Sequence, residues 1–194
     1  MANKKTRPIS REELELIIKT INTGFTTASG QRVQPNSRIS TALLMEANLG
    51  LRIGDIVKLS LSSIIYEAGR YRLDIIEEKT KKSRTFTVPA EIYTFLQTYA
   101  LERGIKPTAK LFDIEVRTVQ NHLKLVCDHL GLSGVASHSF RKYFAMSIFN
   151  SNGFNAELVR TLLMHSTIAV TQHYLSVEPT EVTAALQKHI VLPT

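Results

Sequence analysis

The chain has no tryptophan and a single cysteine, Cys127, among its 194 residues. One cysteine excludes an internal disulfide and is typical of a protein that works in a reducing cytoplasm. Because Cys127 falls on the apolar positions of a helical pattern, we predict a buried structural thiol. No apolar run reaches the ~18 residues that a membrane-spanning helix needs, and MANKKTRPIS lacks the apolar core of a signal peptide. The sequence therefore predicts neither a disulfide-stapled nor a membrane protein.

Acidic residues are also in deficit, with 17 Asp and Glu against 24 Lys and Arg, for a formal net charge of +7. A basic balance suits a polyanion such as nucleic acid, since binding to phosphates releases counterions. The charge alone is not specific, because many proteins are basic for other reasons. Hydrophobic residues at 43% and charged residues at 21% indicate an ordinary globular domain.

Hydrophobic periodicity predicts one mostly helical α+β domain with a small three-stranded antiparallel sheet. Ser10 and Glu13 form a capping box ahead of the first helix. A Gly, Thr and Ser-rich loop leads to a cap at Asn36 or Ser37, and Gly50 ends the second helix. SIIYEAG, RYRLDIIEE and SRTFTVP, divided by Gly69 and KTKK, have the composition of a β-meander. Further helices are predicted at about 90–103, 115–130, 138–151, 155–164, 167–175 and 179–189.

Four short motifs carry the side chains that could do chemistry. In SHSFR, His138 and Arg141 project from one helix face, where they could hold an anion or simply be solvated. In GLRIGD, Arg52 has apolar neighbours and Asp55 as a natural partner, so a structural pair and a functional arginine are both open. The lysine-rich hairpin tip KTKK is a solvated turn or a flexible group that reaches DNA.

The fourth motif, LLMHSTIAVTQHY, contains His165 and Tyr174. A tyrosine near a helix end is usually packing, so this motif alone decides little. Taken together, the order R…K…HxxR…H…Y closely resembles the tyrosine site-specific recombinases, also called the phage integrase family. The resemblance extends from ISREELELII to about residue 176. It implies a catalytic domain over 1–176 and a C-terminal helical tail over 177–194, which docks on the next protomer or folds back on its own core.

The resemblance implies cleavage and rejoining of DNA through a 3′-phosphotyrosyl intermediate, with Tyr174 as nucleophile. Two arginines, Arg52 and Arg141, would clamp the nonbridging oxygens of the scissile phosphate. His138 would act as an acid–base or hydrogen-bonding group, and His165 would hydrogen-bond the phosphate. Lys79 matches the lysine that protonates the leaving 5′-oxygen, although Lys81 and Lys82 remain alternatives.

The family comparison also sets expectations for partners and contacts. Double-stranded DNA is the expected substrate, with self-association into a synaptic tetramer, DNA-bending accessory proteins as further partners, and a location in the cytoplasm at the nucleoid. No metal or cofactor and no membrane contact is expected. Groove or phosphate contacts, or else solvated positions, are expected for Lys81, Lys82, Arg84, Arg117, Gln120, Asn121, Lys124 and Lys142.

Three departures from the family pattern and two alternatives accompany this interpretation. Met164 stands where the family usually has glycine, and Lys142 stands where it often has histidine. The N-terminal domain that clamps DNA in most members is not expected within this sequence.

The alternatives are a non-catalytic DNA-binding accessory protein of the same fold and a type IB topoisomerase-like enzyme. The target sequence and the outcome of recombination are not encoded in any motif.

Overall fold

The computed structural model describes residues 6–76, 81, 83–163, 165–172 and 174–175. The predicted α+β class is confirmed: eight helices, one 3₁₀ turn, a three-stranded sheet and a two-stranded ribbon occur within the described residues. In chain order they are α1 (Arg11–Thr23), β1 (Phe25–Thr26), β2 (Arg32–Val33), α2 (Ser37–Leu49), α3 (Ile53–Ile56), the 3₁₀ turn (Leu61–Ser63), β3 (Ile64–Glu67), β4 (Arg70–Ile76), β5 (Ser83–Val88), α4 (Ala90–Glu102), α5 (Val116–Leu130), α6 (Ser137–Ser151), α7 (Ala156–Leu163) and α8 (Ile168–Gln172).

The starts of α1 and α2 follow from local capping chemistry. The Glu13 backbone N–H donates to the Ser10 hydroxyl (3.2 Å), and the Ser10 N–H donates to the Glu13 carboxylate (2.9 Å), so the predicted capping box is confirmed. For α2 the cap is Asn36, whose side-chain oxygen accepts from the Ile39 N–H at 3.1 Å. In both helices the cap residue accepts a hydrogen bond from a backbone N–H group of the first turn. Residues of this type are recognisable in the sequence, which is why the starts of both helices could be predicted.

Gly50 ends α2 and brings it against α6. Its φ of +59° is left-handed, and its N–H donates to the Glu46 carbonyl at 3.0 Å. A Cβ at this position would overlap the Phe144 ring of α6. Only glycine therefore satisfies both the backbone angle and the close approach of the two helices. This junction places the segment that begins at Arg52 beside the helix that carries Arg141.

The predicted meander is confirmed as β3–β4–β5, antiparallel throughout. Ala68 (φ +50°) and Gly69 (φ +80°) form the two-residue turn between β3 and β4. Strands β4 and β5 pair from Tyr71↔Val88 to Ile76↔Ser83, so their connection spans the lysine-rich segment. Helices α4 to α8 match the predicted ranges to within a few residues.

The stretch from Gly24 to Asn36, predicted as a loop, contains the small ribbon β1–β2. Phe25 pairs with Val33 across it and stacks on the His129 ring of α5, with ring centroids 4.4 Å apart. Strands of two residues show no alternating pattern, which is the reason that sequence periodicity missed them. The four-residue helix α3 is likewise too short to show a helical pattern.

A large apolar core joins α1, α2, α4, α5 and the sheet, and a smaller cluster packs α6 against α7. Cys127 is buried, as predicted, and burial raises the pKa of its thiol to about 11. In the described part of the chain, every helix is too short or too polar to cross a membrane. The tail predicted for 177–194, with its helix at 179–189, lies outside the described residues.

Candidate active site

Helix α6 positions the HxxR pair one turn apart. Arg141 is 0% exposed, and its guanidinium bridges two other elements of the fold. Its Nη1 donates to the carbonyl of Gly50, at the end of α2, and its Nη2 donates to the carbonyl of Leu163, at the end of α7, at 3.0 Å. Main-chain oxygens thus orient a cation that stays protonated at any physiological pH.

His165 follows α7, and its two ring nitrogens have different neighbours. Its Nε2 lies 3.5 Å from Nη2 of Arg141, and its Nδ1 lies 3.0 Å from the Thr171 hydroxyl. A guanidinium can only donate, so in the tautomer that carries its proton on Nδ1, Nε2 accepts from Arg141 and Nδ1 donates to Thr171. The backbone of His165 is held in turn by Arg160, whose Nη1 donates to the His165 carbonyl at 3.0 Å.

Tyr174 lies between the two histidines. Its hydroxyl is 2.6 Å from Nε2 of His138, and its ring centroid is 4.7 Å from the ring of His165. The Tyr174 N–H donates to the carbonyl of Thr171 at 2.8 Å, which continues the turn after α8. The structure therefore brings His165 and Tyr174 close to His138 and Arg141, although the two motifs are far apart in the sequence.

Arg52 occupies the N-cap of α3 with an extended backbone (φ −74°, ψ 147°) and is half-buried. Its carbonyl accepts from the N–H groups of Asp55 (2.8 Å) and Ile56 (3.0 Å). Arg52 lies two residues after Gly50, whose carbonyl receives Arg141. The C-terminal end of α2 is therefore the common support of both arginines.

Lys142, predicted as a DNA contact, is only 8% exposed. Its Nζ donates to the carbonyl of Thr6 and lies 6.0 Å from the centroid of the Tyr174 ring. The lysine thus connects the segment before α1 to the side of the tyrosine, so that in this structure its cation is turned toward the site. A role in binding DNA stays a prediction.

The remaining predicted positions fall into two groups. On α5, Arg117, Gln120, Asn121 and Lys124 are exposed, while Val119, Leu123 and Val126 are buried, as the periodicity predicts. Lys81 is exposed and has a left-handed φ of +55°. Lys79, Lys82, Met164 and the side chain of Arg84 lie outside what the structure describes, so the identity of the lysine that serves as proton donor stays open.

Two residues next to the site escaped the sequence interpretation. Thr171 is fully buried and is the partner of His165 described above. Glu46, on α2, is 1% exposed, and burial raises the pKa of its carboxyl well above the usual range, while attraction to Arg141 opposes that rise. A lone carboxylate within the apolar stretch TALLMEANLG was the available signal for Glu46. Thr171 gave none, because nothing local distinguishes it from an ordinary helix residue.

The arrangement places the Tyr174 phenol against a ring nitrogen of His138 and against the His165 ring, which contacts the Arg141 guanidinium. Such a set can attack a phosphorus centre and stabilise the charge that develops on its oxygens. Over the residues that the structure describes, no group of three or more His, Cys, Asp or Glu side chains is placed to bind a metal ion.

A curated relative matches most of the chain. Tyrosine recombinase XerC of Caldanaerobacter subterraneus subsp. tengcongensis is 27% identical over 153 residues, which cover 73% of this chain and 42% of that protein. The chain thus spans less than half the length of this curated relative.

Solved structures share the fold at low identity. XerA recombinase superposes with a TM-score of 0.68 at 18% identity, covering 100% of this chain and 67% of the other. The catalytic domain of bacteriophage HP1 integrase gives 0.64 at 19% identity, covering 95% and 96%. XerH bound to palindromic difH in a post-cleavage complex gives 0.68 at 18% identity, covering 95% and 54%. The phage integrase family model matches residues 7–181, and the chain accordingly belongs to the phage integrase family.

Proposed function

We propose that the chain is a site-specific DNA recombinase that cleaves and rejoins double-stranded DNA through a 3′-phosphotyrosyl intermediate. The observation that carries the proposal is the Tyr174 hydroxyl, 2.6 Å from Nε2 of His138 and packed against His165, whose ring contacts Arg141. Membership of the phage integrase family supports it independently.

In the cleavage step, the Tyr174 oxygen attacks the scissile phosphorus and the bond from phosphorus to the 5′-oxygen breaks. A phenol has a pKa of about 10 in water, so its proton must be taken up, and Nε2 of His138 is within reach. The 5′-oxygen leaves with a proton that Lys79 supplies, because an alkoxide is a poor leaving group. Attack by a 5′-hydroxyl on the phosphotyrosine reverses the step and joins strands without an external energy source.

Arg52 and Arg141 stabilise the negative charge on the nonbridging oxygens during both steps. The carbonyls of Gly50 and Leu163 already orient the Arg141 guanidinium, which reduces the reorganisation needed when the phosphate arrives. Because Arg141 has no exposed surface in this structure, phosphate entry requires a local rearrangement at the mouth of the site.

Duplex DNA and a second protomer are the proposed partners. XerH was solved on a palindromic difH substrate, and a lambda integrase dimer was solved on a COC′ core site, which supports DNA binding and self-association for this chain. A synaptic tetramer, DNA-bending accessory proteins and docking of the 177–194 tail on a neighbour extend the same proposal, as does a location in the cytoplasm at the nucleoid.

The test uses nicked duplex DNA drawn from a randomised library, so that no target sequence has to be known. The nick releases a short strand after cleavage and traps the covalent complex. Wild type, Tyr174→Phe and Tyr66→Phe are compared on denaturing gels; Tyr66 is the matched control because it lies exposed on β3. We expect covalent DNA with wild type and Tyr66→Phe, and none with Tyr174→Phe.

A wild type that retards duplex DNA yet forms no covalent complex would replace the proposal with the accessory-protein alternative. Covalent complexes without any sequence enrichment, together with relaxation of supercoiled plasmid by monomeric protein, would favour a type IB topoisomerase-like activity instead.

A further inference from the structure

Glu46 is a carboxyl group in the apolar interior of α2 that the cleavage mechanism does not use. It is 1% exposed, and its helix neighbours Met45, Ala47 and Leu49 are all buried. An acidic side chain is seldom fully buried unless it is paired, because its charged form is poorly solvated there. Its surroundings therefore have to explain why an acid occupies this position.

Those surroundings are the two arginine-bearing segments of the site. The Ile53 backbone N–H, directly after Arg52, donates to the Glu46 carboxyl, and Arg141 on α6 attracts it electrostatically. The main chain repeats this connection, since the Glu46 carbonyl accepts from the Gly50 N–H and the Gly50 carbonyl accepts from Arg141. Glu46 thus contacts the start of α3 and interacts electrostatically with the Arg141 guanidinium.

Among the described residues, the charged group that lowers the pKa of Glu46 is Arg141. The face of α1 that packs on the domain is formed by Leu14, Ile17, Thr20 and Ile21, which carry no charge. Arg141 is always cationic and has no exposed surface, and the ionised form of Glu46 would give it an opposite charge within the protein before DNA binds. The DNA phosphate would take over that role on binding.

We propose that Glu46 is a positioning residue, whose buried carboxylate holds the Arg141 guanidinium and the turn that bears Arg52 in place before the phosphate enters. The proposal rests on the proposed function, since its main readout is strand cleavage. It assigns Glu46 no contact with DNA.

The experiment compares Glu46→Gln, Glu46→Leu and Met45→Ala with wild type in single-turnover cleavage of the trapped substrate, alongside DNA affinity and thermal unfolding. Gln keeps an acceptor for the Ile53 N–H and removes the charge, whereas Leu removes both. Misplaced catalytic groups cost about 10- to 100-fold in rate, so we expect Gln near the lower and Leu near the upper figure, with DNA affinity unchanged. Met45→Ala, the matched control, should lower the melting temperature and leave the rate unchanged at permissive temperature.

The pH profile separates positioning from mere structural support. Burial raises the pKa of Glu46, so the wild type loses this charge as pH falls and then resembles Glu46→Gln. The ratio of the wild-type rate to the Gln rate should therefore be largest at alkaline pH and approach one in acid. Asp55, His138 and His165 are present in both proteins, so the ratio removes the pH dependence that the two proteins share. A ratio that does not change with pH, or an equal slowing by Met45→Ala, would overturn the proposal.

Failure of the proposed function would be recognised separately, because wild type would then form no covalent DNA. In that case thermal unfolding of Glu46→Gln, Arg141→Gln and the double variant decides whether Glu46 and Arg141 are coupled. A double variant that melts above Arg141→Gln alone supports the pairing, since an unpaired buried charge is removed. Additive losses contradict it.

Discussion

At the scale of single residues, hydrogen bonds from neighbouring groups fix the orientation of the side chains in the candidate site. Arg141 donates to two carbonyls, and His165 is locked between Arg141 and Thr171. Each contact restricts the rotation of its side chain in advance. Less rotational freedom then has to be lost when the reaction begins. The side chains of Arg141 and His165 are therefore oriented by the protein itself before any DNA is bound.

Thr171 gives the most direct test of this pre-organisation. Thr171→Val keeps the shape of the buried side chain but removes the oxygen 3.0 Å from Nδ1 of His165. An unsatisfied buried donor costs about 1 to 3 kcal/mol, so the ring should reorient and cleavage should slow by about 10-fold or more. Thr171→Ser, which keeps the hydroxyl, should retain most of the wild-type rate in the same single-turnover assay. Equal cleavage rates for the Val and Ser variants would show that the contact between Thr171 and His165 does not affect cleavage.

The sequence motifs predict the candidate reacting residues but not the residues that support them. Arg52, His138, Arg141, His165 and Tyr174 belong to short motifs whose order is specific. Glu46 and Thr171 act through contacts with α3, α6 and His165, which only the folded chain brings together. A buried carboxylate or hydroxyl becomes informative only when its partner is known.

At the scale of elements, the junction between α2 and α6 organises the site. The end of α2 supplies the carbonyl that binds Arg141 and leads directly to Arg52, and the Phe144 ring closes the gap over Gly50. Sequence predicted this helix end correctly, because a terminal glycine is a local signal. It could not predict that α6 packs on the same glycine, since that contact joins residues about 90 positions apart.

Gly50→Ala should destabilise the protein and impair cleavage together. A left-handed φ of +59° is strained for alanine, and the added Cβ overlaps Phe144, so we expect a loss of about 2 to 4 kcal/mol in the free energy of unfolding. Gly131→Ala is the control, because Gly131 also ends a helix at φ +69° but has open space around it. That variant should lose only about 1 kcal/mol and keep its cleavage rate. Similar losses for both in chemical denaturation would contradict the packing explanation.

The connection between β4 and β5 carries the proposed proton donor. A substrate with sulfur in place of the bridging 5′-oxygen needs no donor, since a thiolate leaves readily without protonation, with a thiol pKa of about 8.5. Replacement of Lys79 by alanine should therefore slow cleavage of normal DNA by about 10²-fold or more and leave the sulfur substrate unaffected. Lys81→Ala and Lys82→Ala should show no such difference between the normal and the sulfur substrate. If the rescue appears for one of these two instead, that lysine is the donor.

At the scale of the whole molecule, the net charge of +7 includes cations that the fold leaves exposed on α5. Helix α5 buries Val119, Leu123 and Val126 and leaves a basic and amide-bearing face to solvent. Because phosphate contacts release counterions, binding at such a face depends steeply on salt concentration.

Removal of single cations from α5 should therefore change the salt dependence of DNA binding. For Arg117→Ala and Lys124→Ala we expect the slope of log K against log salt to fall by about 1 each if each contacts one phosphate. Lys19→Ala removes an exposed charge from α1 and should leave the slope unchanged. Unaltered slopes for both α5 variants would identify this face as merely solvated.

The most direct measurement of the central claim identifies the residue that carries DNA. Covalent complexes are digested with nuclease and trypsin, and the modified peptide is sequenced by mass spectrometry. Cleavage after Arg160 and Lys188 leaves a peptide, 161–188, in which Tyr174 is the sole tyrosine. We predict a nucleotide joined through its 3′-phosphate to Tyr174. A nucleotide on any other residue, or a link through a 5′-phosphate, would contradict the proposed mechanism.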